Sequence, residues 1–186
     1  VDDPLLLQVE FAEAPQRAVL LDRIGRREQH QCAVRVATIE QAFSALLDYA
    51  ERRTRAAVAA LPDGSWRAEE FLEGDGIDDA PIPLVATVTI AGDRLHVDFT
   101  GSSPAVAGNV NCPLAVTRSA VYFVVRSITD PDIPASAGAF APVEITVPAG
   151  CILDARFPSA VAAGNVETSS RIVDLMFAAL GRGMAV

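Results

Sequence analysis

Two short phrases in this chain bring amides and an acid to the end of an alanine- and valine-rich run. Ala105-Val106-Ala107-Gly108-Asn109-Val110-Asn111 is echoed by Ala160-Val161-Ala162-Ala163-Gly164-Asn165-Val166-Glu167. Glycine tolerates φ > 0 and asparagine is the next most tolerant residue. Each phrase is therefore expected to form a tight turn that presents amide and carboxylate groups at a helix N-terminus. Two ordinary capped helices would carry the same residues. Two similar loop-to-helix units could instead converge on one polar pocket, with Asn109, Asn111, Asn165 and Glu167 around it. After the second phrase, Thr168, Ser169, Ser170 and Arg171 form either an anion-friendly group of hydroxyls with a guanidinium nearby or a plain hydroxyl cap.

Other candidates are weaker. His96, Asp98 and Thr100 alternate along one strand face; that face either meets solvent or places Asp98 where it could accept from a bound amide or join a metal shell. Cys112 follows the first phrase near an expected helix start, whose dipole would lower its pKa; the competing reading is a buried, inert thiol. Ser102 and Ser103 lack a Gly-x-Ser-x-Gly elbow and a patterned histidine, so serine nucleophile chemistry is weakly supported. His30 sits in a polar stretch and is assigned to solvent.

All fifteen basic residues among the 186 are arginine. Without lysine there is no Walker-type phosphate loop, no pyridoxal Schiff base and no lysine base. A net charge of −9 argues against nucleic acid. The three cysteines, Cys32, Cys112 and Cys151, have no paired spacing and no neighbouring histidine, so they are read as reduced thiols and no metal site is assigned. No apolar run approaches the ~18 residues of a membrane span and no signal-like segment opens the chain. A soluble, cytoplasmic protein is the expectation.

The elements that must position these groups are partly legible. Residues 1–31 hold Leu5-Leu6-Leu7 and a charged run with helix in parts. Ile39, Ala42, Phe43, Leu46, Leu47 and Ala50 repeat as the stripe of an amphipathic helix from Thr38, its N-cap, to Leu61, where Pro62-Asp63-Gly64 stops it. The opposite face carries Asp48, Glu51, Arg52, Arg53 and Arg55, a solvated face or a docking surface for a partner. An acidic connector, residues 73–79, reads as a solvated linker, since it lacks the ligand order of a calcium loop. Leu84 to Ile90 and Arg94 to Thr100 flank Ala91-Gly92-Asp93 as a hairpin. Pro113 to Ile128 is apolar almost all round and is expected as a buried helix. Pro142 to Val147 and a short Ile152–Ala155 read as strands, and Thr168, Ser169 or Ser170 caps a closing helix to about Leu180, with Gly181 and Gly183 as stops. The expected fold is α+β: a mixed sheet with a β-hairpin and buried helices in residues 80–186, preceded by a mainly helical, amphipathic segment in 1–64.

Four ordered blocks carry a resemblance: Leu47-Asp48-Tyr49-Ala50-Glu51-Arg52-Arg53-Thr54-Arg55 with Leu61-Pro62-Asp63-Gly64; Asp98-Phe99-Thr100-Gly101-Ser102-Ser103; Gly108-Asn109-Val110-Asn111-Cys112-Pro113; and Gly164-Asn165-Val166-Glu167-Thr168-Ser169. Together they resemble the hydantoinase B/oxoprolinase family over roughly residues 40–186, while residues 1–37 match poorly. The resemblance implies the B-type part of ATP-dependent enzymes such as N-methylhydantoin amidohydrolases, 5-oxoprolinases and acetone or acetophenone carboxylases. It further implies an A-type partner subunit or domain that uses ATP and Mg, and an oligomeric assembly. The family's amino-terminal blocks, rich in Asn-Asp-Pro-Tyr and His-Asp phrases and the expected home of a divalent metal, are absent, so the chain reads as an internal or C-terminal-side fragment that does not complete catalysis alone. Within that frame Asp98 and Glu167 are the expected catalytic acids, orienting water or the substrate N–H. Asn109, Asn111, Asn165, Thr168 and Ser169 are the expected substrate contacts, because a carboxamide offers donor and acceptor together to a cyclic amide's N–H and C=O. A carboxylase subunit, or a non-catalytic scaffold that holds the partner through the Glu51 to Arg55 face, are the alternatives.

Overall fold

The computed structural model describes residues 14–184. Helix α1 (Ala14–Ala59) leads to strands β1 (Gly64–Leu72), β2 (Ile82–Ala91) and β3 (Arg94–Asp98), then α2 (Leu114–Ile128), the single turn α3 (Ala137–Phe140) and β4 (Val143–Thr146). A π-helical turn, Gly164–Thr168, opens the closing helix α4 (Ser169–Met184). The class is the expected α+β with a mixed sheet: the order is β1-β2-β3-β4, with β1, β2 and β3 antiparallel and β4 parallel to β3. The chain divides into two compact units, Val1–Leu46 and Leu47–Val186. The Leu5 to Leu7 run lies outside the described residues.

Alternation gives the sheet one buried and one polar face. Leu84, Ala86, Val88, Ile90, Leu95 and Val97 are buried, and they share one core with Val121, Val124 and Val125 of α2 and Ile172, Leu175 and Met176 of α4. The intervening residues Thr87, Thr89, His96 and Asp98 fall on the other face, where Thr87 pairs with Asp98 and Thr89 with His96 across the ladder. The β2–β3 hairpin turns at Gly92, φ 59°, a left-handed conformation that favours glycine.

Several expectations are corrected. Thr38 is no N-cap: it lies inside α1 and its hydroxyl donates to Val34 O at 2.9 Å. The apolar stripe Ile39, Phe43, Leu46 and Leu47 is exposed; helix burial starts at Ala50 and continues through Thr54 and Val58. Strand β1 has no counterpart among the expected elements, because as an edge strand it buries only Ala68 and Leu72 fully, and Glu70 at an inward position and Phe71 at an outward one break the apolar–polar order. α2 is not buried all round: Phe123 is 59% exposed while Thr117, Ala120, Val121, Val124 and Val125 face inward. Residues 152–155 form no strand; Cys151 makes a lone bridge to Pro104, and Cys112 N–H donates to Ile152 O at 2.7 Å. Gly181 and Gly183 do not stop α4, which runs to Met184.

Candidate functional site

The two Gly-Asn corners pack against each other. Ala163 N–H donates to Asn109 O at 2.9 Å, and the Thr168 hydroxyl donates to Val110 O. The Asn111 carboxamide lies between them, fully buried. Its nitrogen donates to Val106 O (2.9 Å), Gly108 O (2.8 Å) and Ala160 O (2.9 Å), and its oxygen accepts from Val106 N–H at 2.8 Å. Thr168 and Asn111 are thereby occupied within the protein.

The glycines serve a purpose other than the one expected. The left-handed glycines are Gly76, Gly92, Gly101 and Gly150, and neither corner glycine is among them. What the corners require is clearance: a Cβ on Gly164 would stand 1.9 Å from Asn111 O, and one on Gly108 would stand 1.9 Å from Asp75 O. The glycines allow backbone to press on backbone.

Residues 73–79 are largely exposed, as expected of a solvated linker, but Asp75 anchors them to the first corner. Its side chain is 6% exposed and accepts from the N–H groups of Gly108 (2.7 Å), Ile77 (2.8 Å) and Asp78 (2.8 Å). The backbone donors of Asp78, Gly108 and Ile77 hold its carboxyl below the usual carboxylate range. Sequence reasoning missed this residue; the available signal was an acid between two glycines at the start of a turn, Gly74-Asp75-Gly76-Ile77-Asp78, the pattern of a side chain that caps its own backbone two and three residues on.

Asn109 of the first corner and Asn165, Val166 and Glu167 of the second are exposed. Ser169 is turned inward on its own turn, its hydroxyl donating to Asn165 O at 2.8 Å. Asp98 leaves the sheet on the face opposite Val97, whereas Val110 and Cys112 of the first corner join the core on Val97's side. Its Oδ1 accepts from Thr100 N–H (2.9 Å) and the Thr100 hydroxyl (2.6 Å), and His96 Nε2 meets Thr146 Oγ1 at 2.8 Å. The structure packs the backbones of the two corners together, with Asn111 and Thr168 in the seam, and puts Asp98 on the polar face of the sheet. Burial pushes the Cys112 thiol up, partly offset by the Thr117 hydroxyl that donates to its sulfur, so the dipole argument for a reactive thiolate gives way to desolvation.

Beside the second corner, α2 and α4 leave a cleft of about 250 Å³ lined by Val116, Ser119, Ala120 and Phe123 from α2 and by Asn165, Ser169, Ser170 and Val173 from the corner and α4. Phe123 and Val116 carry no site signal in the sequence, since α2 reads as buried on every side; Ser170 belongs to the group of hydroxyls read after the second phrase. Among the described residues no three His, Cys, Asp or Glu side chains converge as a metal site, and no helix is long and apolar enough to cross a membrane.

The sequence model of the hydantoinase B/oxoprolinase family matches residues 23–186, a span that begins ahead of the four blocks. The chain is 44% identical over 109 residues to 5-oxoprolinase 1 of Arabidopsis thaliana, covering 58% of this chain and 8% of that protein. It is 32% identical over 156 residues to a putative D-/L-hydantoinase B subunit of a Pseudomonas species, covering 78% of this chain and 26% of that one. The chain therefore spans at most about a quarter of these relatives. Among solved structures, the ATP-dependent caprolactamase from Pseudomonas jessenii superposes with a TM-score of 0.71 at 25% identity, over 94% of this chain and 31% of that one. A nucleotide-free acetone carboxylase shares the fold, with a TM-score of 0.65 at 17% identity over 73% of this chain and 20% of its own.

Proposed function

Because this chain belongs to the hydantoinase B/oxoprolinase family, we propose that it is part of the B component of an ATP-dependent cyclic-amide hydrolase, acting in the cytoplasm with an ATP-using A-type partner. The observation that carries this reading is the pair of interlocked corners. Asn111 and Asp75 spend their polar groups holding the corners rigid, while the carboxamides of Asn109 and Asn165 stay exposed and make no side-chain hydrogen bond to a described residue. A rigid scaffold that leaves two amides unspent suits recognition of a ring's N–H and C=O.

Glu167, exposed two residues after Asn165, is the acid proposed to orient water or the ring N–H. Asp98 would act only on a group seated over the polar face of the sheet. Thr168 and Ser169 support the turn that carries Asn165. ATP and Mg are assigned to the A-type partner, in keeping with a chain that has no lysine for a phosphate loop. A divalent metal, if the assembly uses one, is assigned to B-type sequence outside this chain.

The test pairs an A-type subunit with a B-type subunit that carries this chain. ATP-dependent ring opening of hydantoin, 5-oxoproline or caprolactam is expected, with none from the chain alone. Replacing Asn109 and Asn165 by Ala is expected to lower turnover at least about tenfold, the worth of one or two lost hydrogen bonds. ATP-dependent carboxylation of acetone in place of ring opening would move the assignment to a carboxylase subunit. Full activity of the doubly substituted enzyme would overturn the role of the corners.

A further inference from the structure

We propose that the cleft between α2 and α4 binds the ring of an uncharged lactam, with Asn165 reading the amide edge and the helix side chains taking the methylenes. The inference rests on the cyclic-amide reading and names the kind of cyclic amide. Three observations carry it.

The first is the chemistry of the lining. Val116, Ala120, Phe123 and Val173 form the apolar wall, and no charged residue lines the cleft. Phe123 keeps more than half of its surface in solvent, an aromatic ring with no stacking partner among the described residues. The second is which polar groups remain free. Ser119 donates to Ala115 O at 2.9 Å and Ser169 donates to Asn165 O at 2.8 Å. Asn165 and Ser170 are exposed, and neither has a side-chain hydrogen bond to a described residue. The third is size: about 250 Å³ lies just below the range of drug-sized sites and suits one small ring.

These features select among amides by geometry. A lactam of this ring size is held cis, so its N–H and C=O lie on one edge, and a primary carboxamide can meet both at once with its own oxygen and one N–H. A trans acyclic amide turns donor and acceptor to opposite edges and can satisfy only one of these bonds from Asn165. A ring that carries a carboxylate, such as 5-oxoproline, would bring a charge against Phe123 and Val173 with no cation in the lining, and would lose its hydration without return.

The experiment is a titration of the isotopically labelled chain followed by amide and aromatic NMR signals. The probes are caprolactam, N-methylacetamide, cyclohexanone and 5-oxoproline. Caprolactam is expected to give saturable shifts at the Asn165 side-chain amide, Ser170 and the Phe123 ring. N-methylacetamide and cyclohexanone should bind at least about fivefold more weakly, for one hydrogen bond lost, and 5-oxoproline more weakly still. Asn165→Ala, at an exposed position, should weaken caprolactam, which loses two hydrogen bonds, more than cyclohexanone, which loses one, so that the difference between them nearly disappears. No saturable shift with caprolactam, equal affinity for cis and trans amides, or preference for 5-oxoproline would each overturn the proposal on the unsubstituted chain. The outcome is separable from the reading it rests on: ATP-dependent turnover by the assembled enzyme without binding here removes the cleft alone, and binding here without turnover removes the assigned reaction.

Discussion

The Asn111 nitrogen shares its two hydrogens among three carbonyls, its oxygen accepts from one amide, and the side chain is fully buried, so it is not offered to a ligand. Its value is structural: Val106, Gly108 and Ala160 all depend on it. Asn111→Ala is expected to destabilise the protein by about 3 kcal/mol, since the buried Gly108 carbonyl and the part-buried Val106 groups lose their partner at once; urea denaturation monitored by circular dichroism measures it, and an unchanged midpoint would contradict the assignment. Asp75 makes a prediction in pH. Its folded pKa is depressed, so the stability it contributes is complete above the unfolded value and is lost as pH falls through the folded one. Asp130, lowered by the Asp132 backbone N–H and by the Arg53 side chain, behaves alike. Stability should decline below about pH 4, and Asp75→Ala should make that decline shallower, read as denaturation midpoints between neutral pH and acid. Cys112 and Cys151 are buried with thiols pushed up by desolvation, whereas Cys32 is exposed. An aromatic disulfide reagent should therefore titrate one fast thiol, abolished by Cys32→Ser, and reach the other two only on unfolding.

At the scale of elements, the corners explain how two segments far apart in sequence come to share one surface. The π-helical turn Gly164–Thr168 brings its glycine against the carbonyl of Asn111, and α4 then carries Leu175 and Met176 into the core against the sheet. Gly164→Ala would drive a methyl into Asn111 O and is expected to cost about 3 kcal/mol, with α4 displaced from the sheet. Gly181, in the last part of the same helix with open space around its Cα, is the control: Gly181→Ala should gain about 0.5 kcal/mol through helix propensity. Thermal melts of the two variants should move in opposite directions. The hairpin and the position of α2 were legible, because period-two alternation and a run of valines are local signals. β1 escaped because its burial alternates but its residue types do not follow: Glu70 stands at an inward position and Phe71 at an outward one.

At the scale of the whole molecule, the charged face of α1 separates a binding scaffold from a substrate-binding module. Arg53 pairs with Asp130 and stacks over Tyr49, and Arg55 pairs with Glu51 and Asp93, so reversing either charge would disturb the fold's own ion pairs. Arg52 is exposed and has no ion pair to a described residue, which makes Arg52→Glu the clean probe. Loss of A-type partner binding with unchanged melting would favour the scaffold, and an intact complex favours the corner surface as the working part. The amino-acid order by itself settled the α+β class, the hairpin turn at Gly92 and kinship with the hydantoinase B/oxoprolinase family, because alternation, turn chemistry and ordered blocks are written along the chain. It also pointed to the two Gly-Asn phrases. Only the tertiary structure decided that Asn111 is spent, that Asn109 and Asn165 are not, that Asp75 clamps the first corner and that Asp98 faces away. Those outcomes depend on which backbone groups meet across tens of residues, and the same asparagine is a ligand contact or a rivet according to what lies within 3 Å of its amide.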